Sequence, residues 1–399
     1  MCYNYTKCSS QNFLRTSGKN PFRYLSTNAG ESIYQKALEM MEKSRAMEKE
    51  REKEQSKKMF EAWQKSQQNQ SDNKSQGVAV VKTIVKETRS ARKNDNKDYM
   101  KQAMEFLEQA AQEHEHPMAL VQLGNLRLKK AGQNSSGAKE LVLEAMDLFR
   151  LAGENGSRVG WYNLGNLLWT GYPVEGDKST DEPLEKIIEP DLHEAMGAFM
   201  HAIDLGDCDA MYLVGVHRMT SGGRENIHSG LKMIQRAADS GHGGALYYLA
   251  LLYLNGEPNI GLEPCSLETF VQLLDRAVDG GSVDALFTRG HSFFHGTEGY
   301  TQSYKNALDD FISGAESGHA DCAVSAGAML HSGTGIQKDQ RRAFDFYQLA
   351  GELGSREGWQ NVVACYTTGE GVTKSLETAQ YIADTMLEEK LDLQRFQDD

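Results

Sequence analysis

Ala237-Ala238-Asp239-Ser240-Gly241-His242-Gly243-Gly244-Ala245-Leu246-Tyr247-Tyr248-Leu249-Ala250 holds four small residues at offsets that recur along the chain. A Gly is followed four positions on by a small residue, and five further by another. The first slot reads Gly156, Gly206, Gly241, Gly281, Gly318 and Gly354, with Glu115 as an exception. The second reads Ala119, Gly160, Ala210, Ala245, Ala285, Cys322 and Gly358. The third reads Gly124, Gly165, Gly215, Ala250, Gly290, Gly327 and, as an exception, Val363. Four positions before the first slot stands Ala111, Ala152, Ala202, Ala237, Ala277, Gly314 or Ala350. Such repetition predicts stacked helix hairpins, because each unit can bury its apolar face only against a neighbour.

Each unit reads as two helices. Segments such as Asp191–Leu205, Leu231–Ser240 and Arg341–Leu353 carry apolar residues at helical spacing and form the first helix. The first-slot Gly ends it in a left-handed turn, which Gly adopts without a Cβ clash. The small second and third slots let the second helix cross close to its neighbours. Tyr253, Phe293 and Tyr366, three residues past the third slot, are expected to fill the space between layers. Gly171, Gly256, Gly296, Gly333 and Gly369 close second helices. Successive second slots are 41, 50, 35, 40, 37 and 36 residues apart. The longest gap holds an insertion over Tyr172–Pro190, predicted to be a surface loop.

These residues resemble the Sel-1-like repeats. The run Ala237–Gly256 follows that family's pattern, as do Trp161-Tyr162-Asn163-Leu164-Gly165 and Thr368-Gly369-Glu370-Gly371-Val372. The resemblance covers residues 98–375. It implies an all-α chain: a right-handed α-solenoid of about seven hairpins whose concave side binds a partner protein. Glu115, Val363, Arg127 and Arg218 depart from the pattern and mark units expected to be looser.

Charge is split along the 399 residues. Residues 1–100 carry 20 Lys and Arg against 12 Asp and Glu, and the remainder 23 against 44. An acidic repeat body disfavours nucleic acid and favours a protein partner of basic or mixed charge. The same acidity also keeps a long stack soluble. No apolar run is long enough for a membrane-spanning helix. The six Cys are scattered without a C-x-x-C pair, which suits a reducing compartment and predicts no metal site.

The first 30 residues hold Lys7, Arg15, Lys19 and Arg23 and no acid, the composition of a mitochondrial presequence. Residues 31–66 are predicted helical. Ile33, Ala37, Met40, Met41 and Met47 form a partial stripe, and charges alternate over 48–54. Met59, Phe60 and Trp63 offer a second apolar patch. A coiled coil here lacks sustained apolar heptads. Residues 67–97 are a linker and entry segment, and 376–399 a capping helix and tail.

No nucleophile, base and orienting group assemble in the sequence. His291 and His295 stand four apart but lack the Glu of H-E-x-x-H. His116, His242 and His319 share one repeat position, which marks architecture. The expectation is a non-enzymatic scaffold without cofactor or metal. Its candidate contact residues are Asp147, Arg150, His201, Asp204, Arg236, Asp239, Arg276, Asp310 and Gln348, taken as exposed on first helices. The resemblance and the N-terminus together suggest a mitochondrial assembly factor for a respiratory complex. The alternatives are a cytoplasmic adaptor for a kinase, ubiquitin-ligase or wall-synthesis complex, and a β-lactam-binding type of hydrolase.

Overall fold

The computed structural model describes residues 29–47, 50, 95–132, 137–173, 186–258 and 261–387. The expected presequence up to residue 28, the patch at Met59, Phe60 and Trp63, and the tail from 388 lie outside these residues. Helix α1 covers 29–47. Seven pairs follow among the described residues. They are α2 (Asp95–His114) with α3 (Pro117–Ala131), α4 (Ala138–Glu154) with α5 (Arg158–Thr170), and α6 (Leu192–Asp204) with α7 (Cys208–Thr220). Next come α8 (Arg224–Asp239) with α9 (Gly243–Asn255), α10 (Leu267–Asp279) with α11 (Val283–His295), α12 (Tyr304–Glu316) with α13 (Ala320–Ser332), and α14 (Gln340–Glu352) with α15 (Arg356–Thr368). Helix α16 (Leu376–Ile382) runs on into a π-turn, Ala383–Leu387. The described residues fall into two compact units, one up to Ala210 and one from Met211.

The turn inside each pair is built alike in both units. Every first-slot residue has positive φ, from 81° at Gly206 to 97° at Gly354, and Glu115 takes the same region at 46°. The next residue caps the second helix. The backbone N–H of the second-slot residue donates to Ser157, Ser282 or Ser355 Oγ, to Asp207 Oδ1, or to Nδ1 of His116, His242 or His319, at 2.8–3.3 Å. This is the architectural role of the repeated His. A Cβ on Gly241 would meet no atom within 4 Å, so strain at Gly241→Val arises from φ alone. We expect that substitution to cost about 1–2 kcal/mol, read as a lower urea midpoint. An unchanged midpoint refutes the turn assignment.

At five of the seven third slots, one large side chain on the following first helix fills the space. A Cβ on Gly124 would lie 2.5 Å from the Phe149 ring, and on Gly165 2.8 Å from Phe199. In the second unit Gly215 accepts Ile234, Gly290 accepts Phe311 and Gly327 accepts Tyr347. All five of these large residues lie seven positions before a first slot and are buried. Val363 proves compensated rather than loose. The residue on that row of the following helix is Ala383, and the two share a buried cluster with Ala379 and Leu387. Arg127 and Arg218 also tie to the next helix, through Glu144 at 2.9 Å and Ser229 at 2.6 Å. Helix α8 starts at Arg224, before the predicted Leu231. Gly230, inside that helix, is a close-approach residue, since its Cβ would sit 2.6 Å from the Gly215 carbonyl oxygen.

Each unit is closed by half a hairpin. In the first, α1 docks as though it were a second helix. Tyr34 stacks on the cap His116 with centroids 4.5 Å apart, and Glu31 lies 2.9 Å from its Nε2. In the second unit Tyr212 and Phe287 cover His242 and His319 in the same way. Ala37 lies three residues past Tyr34 and is fully buried, as Gly290 and Gly215 lie three past Phe287 and Tyr212. At the other end α16 takes the place of a first helix. Ser375 caps it, and the Ser375 N–H returns to the Tyr366 carbonyl at 2.9 Å. Ser303 and Asp339 make the equivalent bonds to Phe293 and Leu330.

The insertion after α5 is anchored rather than free at its base. Strands β1 (Tyr172–Pro173) and β2 (Lys186–Ile188) pair antiparallel. Tyr172 Oη donates to the Leu128 carbonyl, and Ile187 and Ile188 pack on a core containing Val142 and Leu167.

Candidate partner-binding surface

In the first unit the nominated residues lie on α4 and α6. Asp147 is exposed, and Arg150 bridges the two helices, 2.8 Å from Glu194 and 3.8 Å from Asp147. His201 is exposed and stacks on Trp161 with centroids 4.7 Å apart, while Asp204 is exposed at the end of α6. In the second unit Arg236, Asp239, Arg276 and Gln348 are exposed, and Gln348 donates to Glu352 at 2.8 Å.

Asp310 corrects the expectation of exposure. It is buried, and Arg289 grips it with Nε and Nη2 at 2.9 and 2.8 Å. Arg289 Nη1 also donates to Asp275 at 3.0 Å, and Tyr300 Oη donates to the same carboxylate oxygen. Hydrogen bonding to Asp310 raises the Arg289 pKa against the opposing effect of burial. Burial, reinforced by Asp275, raises that of Tyr300. The network joins α10, α11 and α12, so Asp310 serves the interior. A signal was present in the sequence. The residue eight positions before the first slot is apolar in the other six repeats: Leu107, Leu148, Ala198, Met233, Leu273 and Phe346.

One residue of this face escaped sequence reading. Gly197 is exposed inside α6, in register with Glu194, His201 and Asp204. A Cβ there would meet nothing within 4 Å, unlike at the other described glycines inside helices. Glycine in a helix interior costs about 0.5–1 kcal/mol relative to alanine. Packing among the described residues does not account for it.

The groups that suggested chemistry are structural. His291 and His295 stack in parallel with centroids 6.2 Å apart. His291 also packs edge-on against Phe287 and Phe311, and burial, then His295, lowers its pKa. Burial pushes the Cys322 thiol up to about 12 and raises that of Cys365, which keeps both protonated and poorly nucleophilic. Among the described residues no three His, Cys, Asp or Glu side chains gather to hold a metal ion. Among them, too, no helix is long and apolar enough to cross a membrane.

No curated protein matches the chain. Among solved structures, it resembles c5321, described as a protective antigen of uropathogenic Escherichia coli with an SLR fold. Identity is 20% over 74% of this chain and 58% of that one, with a TM-score of 0.47. A Sel1 repeat protein from Oxalobacter formigenes is 20% identical over 73% of this chain and 77% of its own, again at 0.47. The immunity protein Pa5087 of Pseudomonas aeruginosa is 19% identical over 59% and 83%, at 0.41. The Sel1 repeat family matches residues 96–114, 208–242, 244–264 and 320–355, which fall on α2, on α7 through the cap of α9, on α9 and the loop beyond, and on α13 with α14. These four segments match the Sel1 repeat, and they fall on helix hairpins in both units.

Proposed function

We propose that this chain is a protein-binding scaffold that uses the exposed sides of its first helices. The supporting observation is the repeated placement of polar side chains there: exposed Asp147, His201 and Asp204 and half-buried Arg150 in one unit, and exposed Arg236, Asp239, Arg276 and Gln348 in the other. A repeat array offers many such positions on a rigid support. The acidic repeat body suits a partner of basic or mixed charge. Capture from the native cells with the wild-type chain and with an Asp147→Lys, Asp204→Lys, Asp239→Lys variant tests this. We expect a reproducible partner to be lost from the variant while thermal melting stays unchanged. Equal capture by both would refute the first-helix face.

The basic, acid-free N-terminus supports mitochondrial import, with assembly of a respiratory complex as the role in that compartment. Residues 1–40 fused to a fluorescent reporter are expected to direct it to mitochondria in a potential-dependent manner. Diffuse signal insensitive to collapse of the membrane potential would exclude this localisation.

A further inference from the structure

We infer that the α4–α6 face of the first unit is a docking surface for an amphipathic basic helix, seated on Gly197. The inference rests on the scaffold reading and names where one partner binds and what its chemistry is. Three observations meet on this face. The first is Gly197 itself, which leaves bare backbone that no described residue approaches within 4 Å of a Cβ built there. A glycine kept in a helix without an internal neighbour suits the close approach of an outside side chain.

The second is apolar. Leu143 and Leu151 are 43% and 38% exposed, and they stand eight residues apart on α4 with Asp147 midway between them. Four residues is about one helical turn, so they form one stripe. On α6, His201 stacks on Trp161 of α5 with ring centroids 4.7 Å apart and offers an aromatic surface. The third is charge. Glu144, Asp147, Glu194 and Asp204 are exposed on these helices against two arginines, Arg127 paired with Glu144 and Arg150 with Asp147 and Glu194, so these six groups keep a net negative charge. Exposed leucines within an acidic rim fit a helix with one apolar face and lysines or arginines beside it.

The test uses the full chain and two synthetic peptides of about 18 residues, long enough for five helical turns. One carries Leu at i, i+3 and i+4 spacing with Lys elsewhere; the other replaces each Lys by Glu. Fluorescence anisotropy at moderate salt is expected to show binding of the Lys peptide and none of the Glu peptide. Gly197→Leu should weaken binding by about tenfold or more, as loss of a central contact does. Gln272→Leu, at the same register of α10, should bind like wild type. Gly197→Ala should raise the melting temperature, and Gly197→Leu should not lower it, which separates blocked docking from misfolding. Equal binding of both peptides, failure of the Lys peptide to bind, or wild-type affinity in Gly197→Leu would overturn the inference. A native partner whose capture survives Gly197→Leu would overturn it too, while leaving the scaffold reading intact.

Discussion

Arg289→Met is expected to lower the stability of the second unit by about 3–5 kcal/mol, the cost of breaking a buried ion pair from one side. The substitution keeps the aliphatic stem but leaves Asp310 buried without its two guanidinium donors. Asp275, about half exposed and still bonded to Tyr300, tolerates the loss better. In a repeat array this deficit falls on the interface between neighbouring hairpins, here α10–α11 and α12. Urea unfolding and hydrogen exchange at α11 and α12 should both register it. The double variant Arg289→Met, Asp310→Leu should recover at least half of the loss. It replaces a charged contact with an apolar one on a row that is apolar in every other repeat. A single variant within about 1 kcal/mol of wild type would mean that water already screens the pair.

That row shows what was legible in the sequence and what was missed. The small-residue slots could be read because backbone proximity and positive φ each admit few side chains. Glu115 breaks the sequence pattern, yet it adopts the same left-handed turn as the glycines. Asp310 was misplaced because a carboxylate on a helix reads as exposed unless its partner is known. That partner, Arg289, lies 21 positions away on another helix. The half-hairpin formed by α1 escaped because it keeps only fragments of the pattern, Tyr34 and Ala37, without a first-slot Gly. Gly197 escaped for the opposite reason. Sequence presents every glycine alike, and only coordinates separate one pressed against a ring, such as Gly165, from one facing open space.

The exchange of size between Val363 and Ala383 leads to the other large prediction. If packing between hairpins depends on the summed volume of one slot and one knob, the two sizes can be traded. Phe199→Ala empties the Gly165 slot and should cost about 3–5 kcal/mol. Gly165→Val drives a branched side chain into the Phe199 ring, 2.8 Å from where its Cβ must lie, and should cost about 1–3 kcal/mol or more. Together they recreate a Val slot opposite an Ala knob, as found between α15 and the π-turn after α16. The pair should therefore be less destabilised than the sum of its parts by about 1–3 kcal/mol, the coupling expected of residues in contact. Urea unfolding of the four proteins in that cycle measures it. Strict additivity would mean that slot and knob do not share one volume, and that Val363 is tolerated for reasons local to its own hairpin.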